Sequence, residues 1–198
     1  MLAIGGEVMK HPPEIYTRDE IERMVRACSA KCPTGQRNRA LIILLWRGML
    51  RVSEALALRP KDLDLEAGTV RVLHGKGDKA RTVGLDPQAC AVIQVWLSQR
   101  EKIGMNGVHP LFCTLAGEPI KTSYVRSLLP RLGRKAGVEK RVHAHGFRHT
   151  GAVEMMDEGV PVGVISKQLG HSDIATTARY LDHIAPKQVI ETMRGRSW

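Results

Sequence analysis

The chain has 198 residues, of which 43% are hydrophobic, and this composition is enough for one packed domain of ordinary size. Its 30 basic and 20 acidic residues give a net charge of +10, which favours a polyanionic partner. The sequence has no run of about twenty apolar residues and therefore predicts no membrane span. The expectation is a globular protein that binds an acidic macromolecule.

The cysteines and the N-terminal sequence bear on the compartment. The four cysteines do not have the spacing of zinc ligands, and we expect them to be reduced and mostly buried. No signal-peptide pattern is recognisable at the start of the chain. We therefore predict a cytoplasmic protein with no metal site and no cofactor.

The pattern of apolar residues predicts a mainly helical chain with a small antiparallel β-sheet, an α+β fold. Residues 1–16 are predicted to be a tail or linker, because Gly5-Gly6 and Pro12-Pro13 break any regular pattern. A capping box from Thr17 to Glu20 should start the first helix. We expect helices over residues 18–30, 36–48, 51–58, 87–103, 122–136, 146–158, 161–169, 173–182 and 186–193.

Three of these elements have distinctive features. The helix over 36–48 is apolar on nearly every side and should lie at the centre of the core. The helix over 122–136 should be interrupted near Pro130. The strands expected over 69–73 and 81–85 form a hairpin whose loop contains glycines at positions 75 and 77. A short strand and turn over 62–68 precedes that hairpin.

A phosphate-binding set of side chains lies between residues 145 and 180. Arg148 offers a planar fork of donors that suits a phosphate, and His145 shares its helical face. His171 is expected at an exposed turn between two helices. Thr177 and Tyr180 should lie on the outer side of the next helix, because positions 174, 178 and 181 form its apolar face. Tyr180 is therefore a candidate nucleophile.

A second group of candidates lies earlier in the chain. Arg51 follows the most apolar helix, and a charge so close to the core needs a partner, which Glu54 can supply. Lys76 stands between two glycines of the hairpin loop, which lets the backbone approach a ligand closely. Lys79 is an alternative within the same loop. Each of these residues, taken alone, is also compatible with an ordinary surface role.

The positive charge is concentrated between positions 121 and 148. That stretch has eight basic residues and a single acidic one, Glu139. A patch so one-sided repels itself, so a bound polyanion is the natural explanation. The basic residues are Lys121, Arg126, Arg131, Arg134, Lys135, Lys140, Arg141 and Arg148.

Five short motifs, taken in order, resemble those of the tyrosine recombinases, the group that includes phage integrases. They cover about residues 17–183. The motifs are Gly48-Met-Leu-Arg-Val-Ser-Glu54, Gly75-Lys-Gly-Asp-Lys79, His145-Gly-Phe-Arg-His-Thr150, Leu169-Gly-His171 and Thr177-Ala-Arg-Tyr180. The resemblance implies the catalytic-domain fold of that family. It also implies site-specific DNA recombination, in which strands are cut and rejoined without a metal through a 3′-phosphotyrosyl intermediate.

The resemblance also implies a role for each candidate residue. Arg51 and Arg148 would grip the scissile phosphate, with Glu54 in a supporting position. His171 would donate a hydrogen bond to the same phosphate. Lys76 would protonate the leaving 5′ oxygen. Tyr180 would be the nucleophile, and His145 would assist proton transfer at that nucleophile. Further contacts with double-stranded DNA are expected from Lys79, Arg81, Lys121 and Arg126.

The domain organisation is also expected from the resemblance. Residues 17–183 would be the catalytic domain and 184–198 a tail helix that docks on a neighbouring protomer. The assembly would be a tetramer on paired DNA sites and a monomer off DNA, associated with the bacterial nucleoid. Family members usually carry an N-terminal core-binding domain. This chain therefore represents either an excised catalytic domain or a small single-domain recombinase.

Three other functions are compatible with part of this pattern. A type IB-like topoisomerase shares the chemistry but rejoins the original strands. A non-catalytic DNA-binding protein would use the basic patch, yet it would not need Lys76, His171 and Tyr180 together. A metal-dependent hydrolase could use the histidines at 143, 145 and 149, but no carboxylate lies between Glu139 and Glu154 and the sequence has no His-Glu-x-x-His.

Overall fold

The computed structural model describes residues 15–73, 80–171, 173–175, 177 and 193–194. Lys76, Lys79 and Tyr180 lie outside the described residues, as does most of the two helices expected over 173–182 and 186–193. The elements include one 3₁₀ helix, Pro60–Asp62, and seven α-helices: α1 Arg18–Ala27, α2 Pro33–Trp46, α3 Val52–Ala57, α4 Pro87–Lys102, α5 Thr122–Lys135, α6 Ala144–Asp157 and α7 Val162–Leu169. The strands are β1 Leu63–Asp64, β2 Thr69–Val72 and β3 Arg81–Gly84.

The predicted fold class is confirmed, since a small sheet of three antiparallel strands, in the order β1-β2-β3, accompanies a mainly helical chain. Val70 pairs with Val83 in the hairpin of β2 and β3, and both side chains point into the core. None of the described helices is long and apolar enough to cross a membrane.

The centre of the core is α2, as its composition predicts. It begins at Pro33 rather than at residue 36, because proline at the first helical position needs no hydrogen bond for its nitrogen. The seven residues from Ala40 to Trp46 are all buried, and α2 packs against α4 and α6. The site residues that come after α2 in the chain are therefore attached to the most deeply buried part of the molecule.

Helix α5 is continuous across Pro130, so the interruption expected there was wrong. Proline removes one backbone hydrogen bond, at a cost of about 3 kcal/mol. The buried face of α5, which includes Leu128, Leu129 and Leu132, packs into the core and offsets that loss. The helix therefore continues to Lys135.

The N-terminal side of the described region contributes to the core. Tyr16 is 2% exposed, its ring stacks at a tilt on Phe147 with centroids 5.1 Å apart, and its amide donates to Thr150 Oγ1 at 2.9 Å. The capping box comes directly after it, with both hydrogen bonds between Thr17 and Glu20 present. Packing therefore begins before residue 17, and Tyr16 ties the start of α1 to α6.

A separate apolar cluster joins α6 to α7. It contains six buried residues: Met49, Ala152, Val153, Met156, Ile165 and Leu169. Because Met49 belongs to the turn after α2, this cluster packs that turn, α6 and α7 together. These are the elements that carry the candidate site residues.

Candidate active site

Four of the six predicted reacting residues lie in the described region, and the fold brings them together. Arg51 is the N-cap of α3, His145 and Arg148 lie on α6, and His171 comes directly after the C-cap of α7. Arg148 Nη2 lies 3.5 Å from His171 Nε2. The charges of Arg51 and Arg148 both act on the two histidines. Residues about 120 positions apart in sequence thus form one positively charged site.

Arg148 is held from behind by the turn after α2 and by the end of α7. Its guanidinium donates to the carbonyl oxygen of Met49 and, at 2.5 Å, to that of Leu169, and the residue is 2% exposed. The carbonyl of Leu169 is at the C-terminal end of α7, where the partial negative charge of a helix suits a cation. The side chain is therefore fixed in one orientation, with its terminal nitrogens next to His171.

The turn that presents the Met49 carbonyl is tight. Met49 has φ of 50°, a left-handed conformation that is uncommon for a residue with a side chain. Gly151 faces this turn, and a Cβ there would lie 2.3 Å from the carbonyl oxygen of Trp46. The glycine therefore lets α6 approach the end of α2, which brings Arg148 within reach of Met49.

Glu54 links two arginines beside the site. Arg51 donates to it through its amide at 2.8 Å and through Nη1 at 2.6 Å, as the sequence predicted. Arg81 donates through Nη1 at 2.8 Å and Nη2 at 2.9 Å. Burial by itself would raise the pKa of Glu54, but the hydrogen bonds from Arg81 and Arg51 outweigh it and lower the pKa to about 2. The carboxylate is therefore ionised at neutral pH.

His171 is partly buried, and its ring is oriented by Thr177. Its Nδ1 lies 2.8 Å from Thr177 Oγ1, while Nε2 faces Arg148. Desolvation, together with the charges of Arg148, Arg51, Arg81 and His145, lowers the pKa of His171 to about 4. The imidazole is therefore neutral at pH 7.

The prediction for the segment after His171 was wrong about its faces. Thr177 is fully buried, whereas Ile174 is 55% exposed. The hydrogen bond to His171 holds Thr177 inward, and Asp173, just before the helical residues 174 and 175, accepts from the amide of Ala175 at 2.9 Å. A polar bond in the site thus overrides the helical pattern of apolar residues.

His145 reaches the surface of the site at the start of α6. Partial desolvation, with the nearby charges of Arg148, His143 and Arg51, lowers its pKa. His143 caps the helix, since its Nδ1 accepts from the amide of Gly146 at 3.2 Å. A Cβ at Gly146 would lie 2.4 Å from the Tyr16 hydroxyl, so this glycine permits close packing beneath His145.

A groove with an apolar floor and a basic rim adjoins His145. It lies between α3, α5 and the loop 137–144, and its volume is about 760 Å³. Arg126 of the predicted DNA contacts lines this groove, whereas Lys121 lies exposed just before α5, at the edge of a neighbouring depression. The basic residues on its rim are Arg126, Arg134, Lys140 and Arg141.

Arg81 and Thr177 are the site residues whose roles sequence reasoning missed. For Arg81 we expected a DNA contact, but its guanidinium pairs with Glu54 and 12% of its side chain is exposed. The spacing of Arg51 and Glu54 carries no signal that a second arginine joins them across 27 residues. For Thr177, its position six residues after His171 is the one available signal.

The comparisons with known proteins agree with this geometry. The chain belongs to the phage integrase family, whose sequence model matches residues 14–186. The tyrosine recombinase XerC of Xanthomonas campestris pv. campestris (strain B100) is 38% identical over 168 residues, which cover 85% of this chain and 51% of the relative. The tyrosine recombinase XerD of Bifidobacterium longum (strain NCC 2705) is 31% identical over 190 residues, with 91% and 61% covered.

Two solved structures show the same fold. The XerA recombinase matches with a TM-score of 0.81 at 30% identity, over 94% of this chain and 67% of that one. The XerH recombinase in a post-cleavage complex with its palindromic difH substrate matches with a TM-score of 0.74 at 28% identity, over 92% and 53%. The chain spans about half the length of the XerC relative. The fold that it shares with the XerA and XerH recombinases is that of their catalytic domains.

Proposed function

We propose that this chain is the catalytic part of a site-specific DNA recombinase that cuts and rejoins double-stranded DNA without a metal ion. The observation that carries the proposal is the cluster of Arg51, Arg148 and neutral His171 around one site. In the transition state of phosphodiester cleavage, charge builds up on the non-bridging oxygens, and fixed donors aimed there stabilise it. The XerH relative was solved with DNA, and we transfer that partner to this chain.

The roles in this reaction follow from the resemblance to the tyrosine recombinases. The phenolic oxygen of Tyr180 attacks the phosphorus and forms a phosphotyrosyl bond to the 3′ end. The bond to the 5′ oxygen breaks, and that oxygen leaves as a hydroxyl after taking a proton from Lys76. The phenol has a reference pKa of about 10, so its proton needs an acceptor. We assign this role to His145, whose lowered pKa leaves it neutral.

The other two tyrosines of the chain have structural surroundings. Tyr16 is buried in the core, and its hydroxyl donates to the carbonyl of Arg141 at 3.0 Å. The hydroxyl of Tyr124 accepts from Arg37 Nη2 at 2.7 Å and lies 3.2 Å from Asn38 Oδ1. With three tyrosines in the sequence, these observations leave Tyr180 as the nucleophile we propose.

The test is the formation of a covalent adduct on a nicked duplex, in which the cut fragment diffuses away and traps the intermediate. We expect an adduct that survives denaturation and forms in EDTA. Tyr180→Phe should abolish it and leave DNA binding intact, whereas the control Tyr124→Phe should retain it. An adduct formed by Tyr180→Phe, or a cleavage that stops on chelation, would contradict the proposal. Strand exchange between two duplexes distinguishes a recombinase from a topoisomerase.

We further propose that residues 17–183 form the catalytic domain and that residues 184–198 dock on a neighbouring protomer, giving a tetramer on paired sites. The support is the family membership and the short apolar series Ile184, Val189, Ile190 and Met193 in the sequence. Deletion of 184–198 should weaken assembly on paired sites more than binding to a single site, as measured by gel shift. Equal losses in the two assays would contradict this arrangement.

A further inference from the structure

Arg81 lies where three elements of the site meet. It is the first residue of β3, and its two terminal nitrogens bind the two oxygens of Glu54 in a parallel, bidentate pair. Arg51 binds the same two oxygens, Oε1 through its side chain and Oε2 through its amide. Each carboxylate oxygen is therefore shared between both arginines, and the orientation of Glu54 is fully determined.

The same guanidinium packs against the turn that carries His171. Gly170 caps α7 with φ of 65°, and a Cβ at this position would lie 2.5 Å from the Cδ and Nε atoms of Arg81. Position 170 therefore requires glycine for two reasons: its left-handed backbone conformation, and the space that Arg81 fills. Gln168 joins α7 to β3 beside this turn, because its side-chain amide pairs at 2.9 Å with both the N–H and the carbonyl of Gly84.

We propose that Arg81 is a positioning residue for strand cleavage: it fixes the Glu54 carboxylate that orients Arg51, and it sets the Gly170–His171 turn. This role rests on the proposed recombinase function and takes the place of the DNA contact expected from the sequence. A carboxylate bound by Arg51 alone would neutralise that arginine. With Arg81 on the same carboxylate, the two arginines and Glu54 together keep one net positive charge for the phosphate.

Two variants of Arg81 separate its charge from its geometry. Arg81→Met removes both, while its thioether chain fills similar space beside Gly170. Arg81→Lys keeps the charge but contacts Glu54 at one point instead of two. The matched control is Arg47→Met, which removes an arginine paired with Asp86 and Glu154, neither of which is a site residue.

Each protein is tested on two nicked duplexes, one with a normal scissile phosphate and one with a methylphosphonate there. The methyl group replaces a charged non-bridging oxygen, so cleavage depends less on Arg51. We expect Arg81→Met to slow adduct formation about 100-fold on the phosphate, in the range for loss of one oxyanion donor, and much less on the methylphosphonate. Arg81→Lys should be intermediate, and Arg47→Met should match the wild type on both.

Three results would overturn the proposal. Equal slowing on both substrates would mean that Arg81 only supports the fold. A lower DNA affinity with a salt dependence reduced by about one counterion would mean that it contacts a phosphate. Unchanged cleavage by Arg81→Lys and Arg81→Met would mean that it has no role in the reaction.

A structure of the free variants tests the positioning role without catalysis. In Arg81→Met the Glu54 carboxylate should rotate and the turn at Gly170 should shift, whereas Arg47→Met should leave both as in the wild type. An unmoved Glu54 and turn would contradict the proposal even if the protein cleaves DNA. If the wild type forms no adduct, the proposed function fails, and this comparison of free proteins still decides whether Arg81 holds Glu54.

Discussion

Arg47 and Arg51 lie four residues apart, just after the end of α2, and their electrostatic surroundings are opposite. Arg47 is paired with two carboxylates, Asp86 at 2.7 Å and Glu154 at 2.9 Å. The indole nitrogen of Trp46 also donates to Glu154, at 2.9 Å. Both partners of Arg47 are negative, so its charge is fully compensated and the cluster joins α2 to α4 and α6.

At Arg51 the ratio of arginines to carboxylates is reversed. Two arginines, Arg51 and Arg81, share the one carboxylate of Glu54. Arg148, next to them, donates to the backbone carbonyls of Met49 and Leu169, which carry only partial charge. Desolvation by burial and the surplus of positive charge together lower the pKa of His171. This fold therefore separates two uses of arginine: a cluster with enough carboxylates stabilises the fold, and a cluster with too few prepares a site for an anion.

The largest effect is expected from Glu54→Gln, which removes the one compensating charge of the site cluster. An amide of the same shape leaves Arg51 and Arg81 facing each other without a buried anion, which should cost about 3 kcal/mol of unfolding free energy. Adduct formation should fall about 100-fold, because Arg51 loses its orientation. Chemical denaturation and adduct assays measure the two losses. If stability drops while cleavage does not, the cluster of Glu54, Arg51 and Arg81 only stabilises the fold, as the Arg47 cluster does.

The pH dependence of stability tests the same contrast. The pKa of Glu54 is lowered from 4.5 to about 2 in the folded protein. A depressed pKa contributes stability above the unfolded value and loses it as pH falls toward the folded value. The stability gap between the wild type and Glu54→Gln should therefore be full at pH 7 and narrow between about pH 4.5 and 2. A gap that stays constant over that range would contradict this role of Glu54.

Sequence reasoning predicted the fold class because it depends on local signals, whereas the convergence of Arg51, His145, Arg148 and His171 was expected from the resemblance to the tyrosine recombinases. The apolar run of α2 and the capping box at Thr17 are set by neighbours within a few residues. The short motifs also place each reacting group at the end of an element. Lys76 and Tyr180 lie outside the described residues, so their positions stay predictions.

The errors have a different origin, since each involves a contact that the periodic pattern of apolar residues does not encode. Pro130 breaks an isolated helix, but the core contacts of α5 keep it continuous. Thr177 was placed outside by helical periodicity, yet its bond to His171 turns it inward. The pairing of Arg81 with Glu54 was not anticipated, since these two residues are 27 positions apart in sequence. No periodic pattern contains the information that Glu54 lies behind it.

The smallest effect is expected from Thr177→Val, which changes a neutral group at the edge of the positive cluster. In the neutral imidazole of His171, a hydroxyl that donates to Nδ1 leaves the proton on Nε2, where it can be donated to a phosphate oxygen. Valine has the shape of threonine but cannot donate. The loss should be about 1 kcal/mol, or several-fold in the cleavage rate, with DNA affinity unchanged.

The control for this prediction is Thr177→Ser, which keeps the hydroxyl and should retain the wild-type rate. Imidazole ¹⁵N chemical shifts report the tautomer directly, so the free protein should show His171 protonated on Nε2 in the wild type and in a mixture of tautomers in Thr177→Val. If the valine variant keeps both the tautomer and the rate, Thr177 does not set the tautomer of His171. The arginines could not account for that result, because the Arg148 guanidinium beside Nε2 is a donor and favours the other tautomer, with the proton on Nδ1.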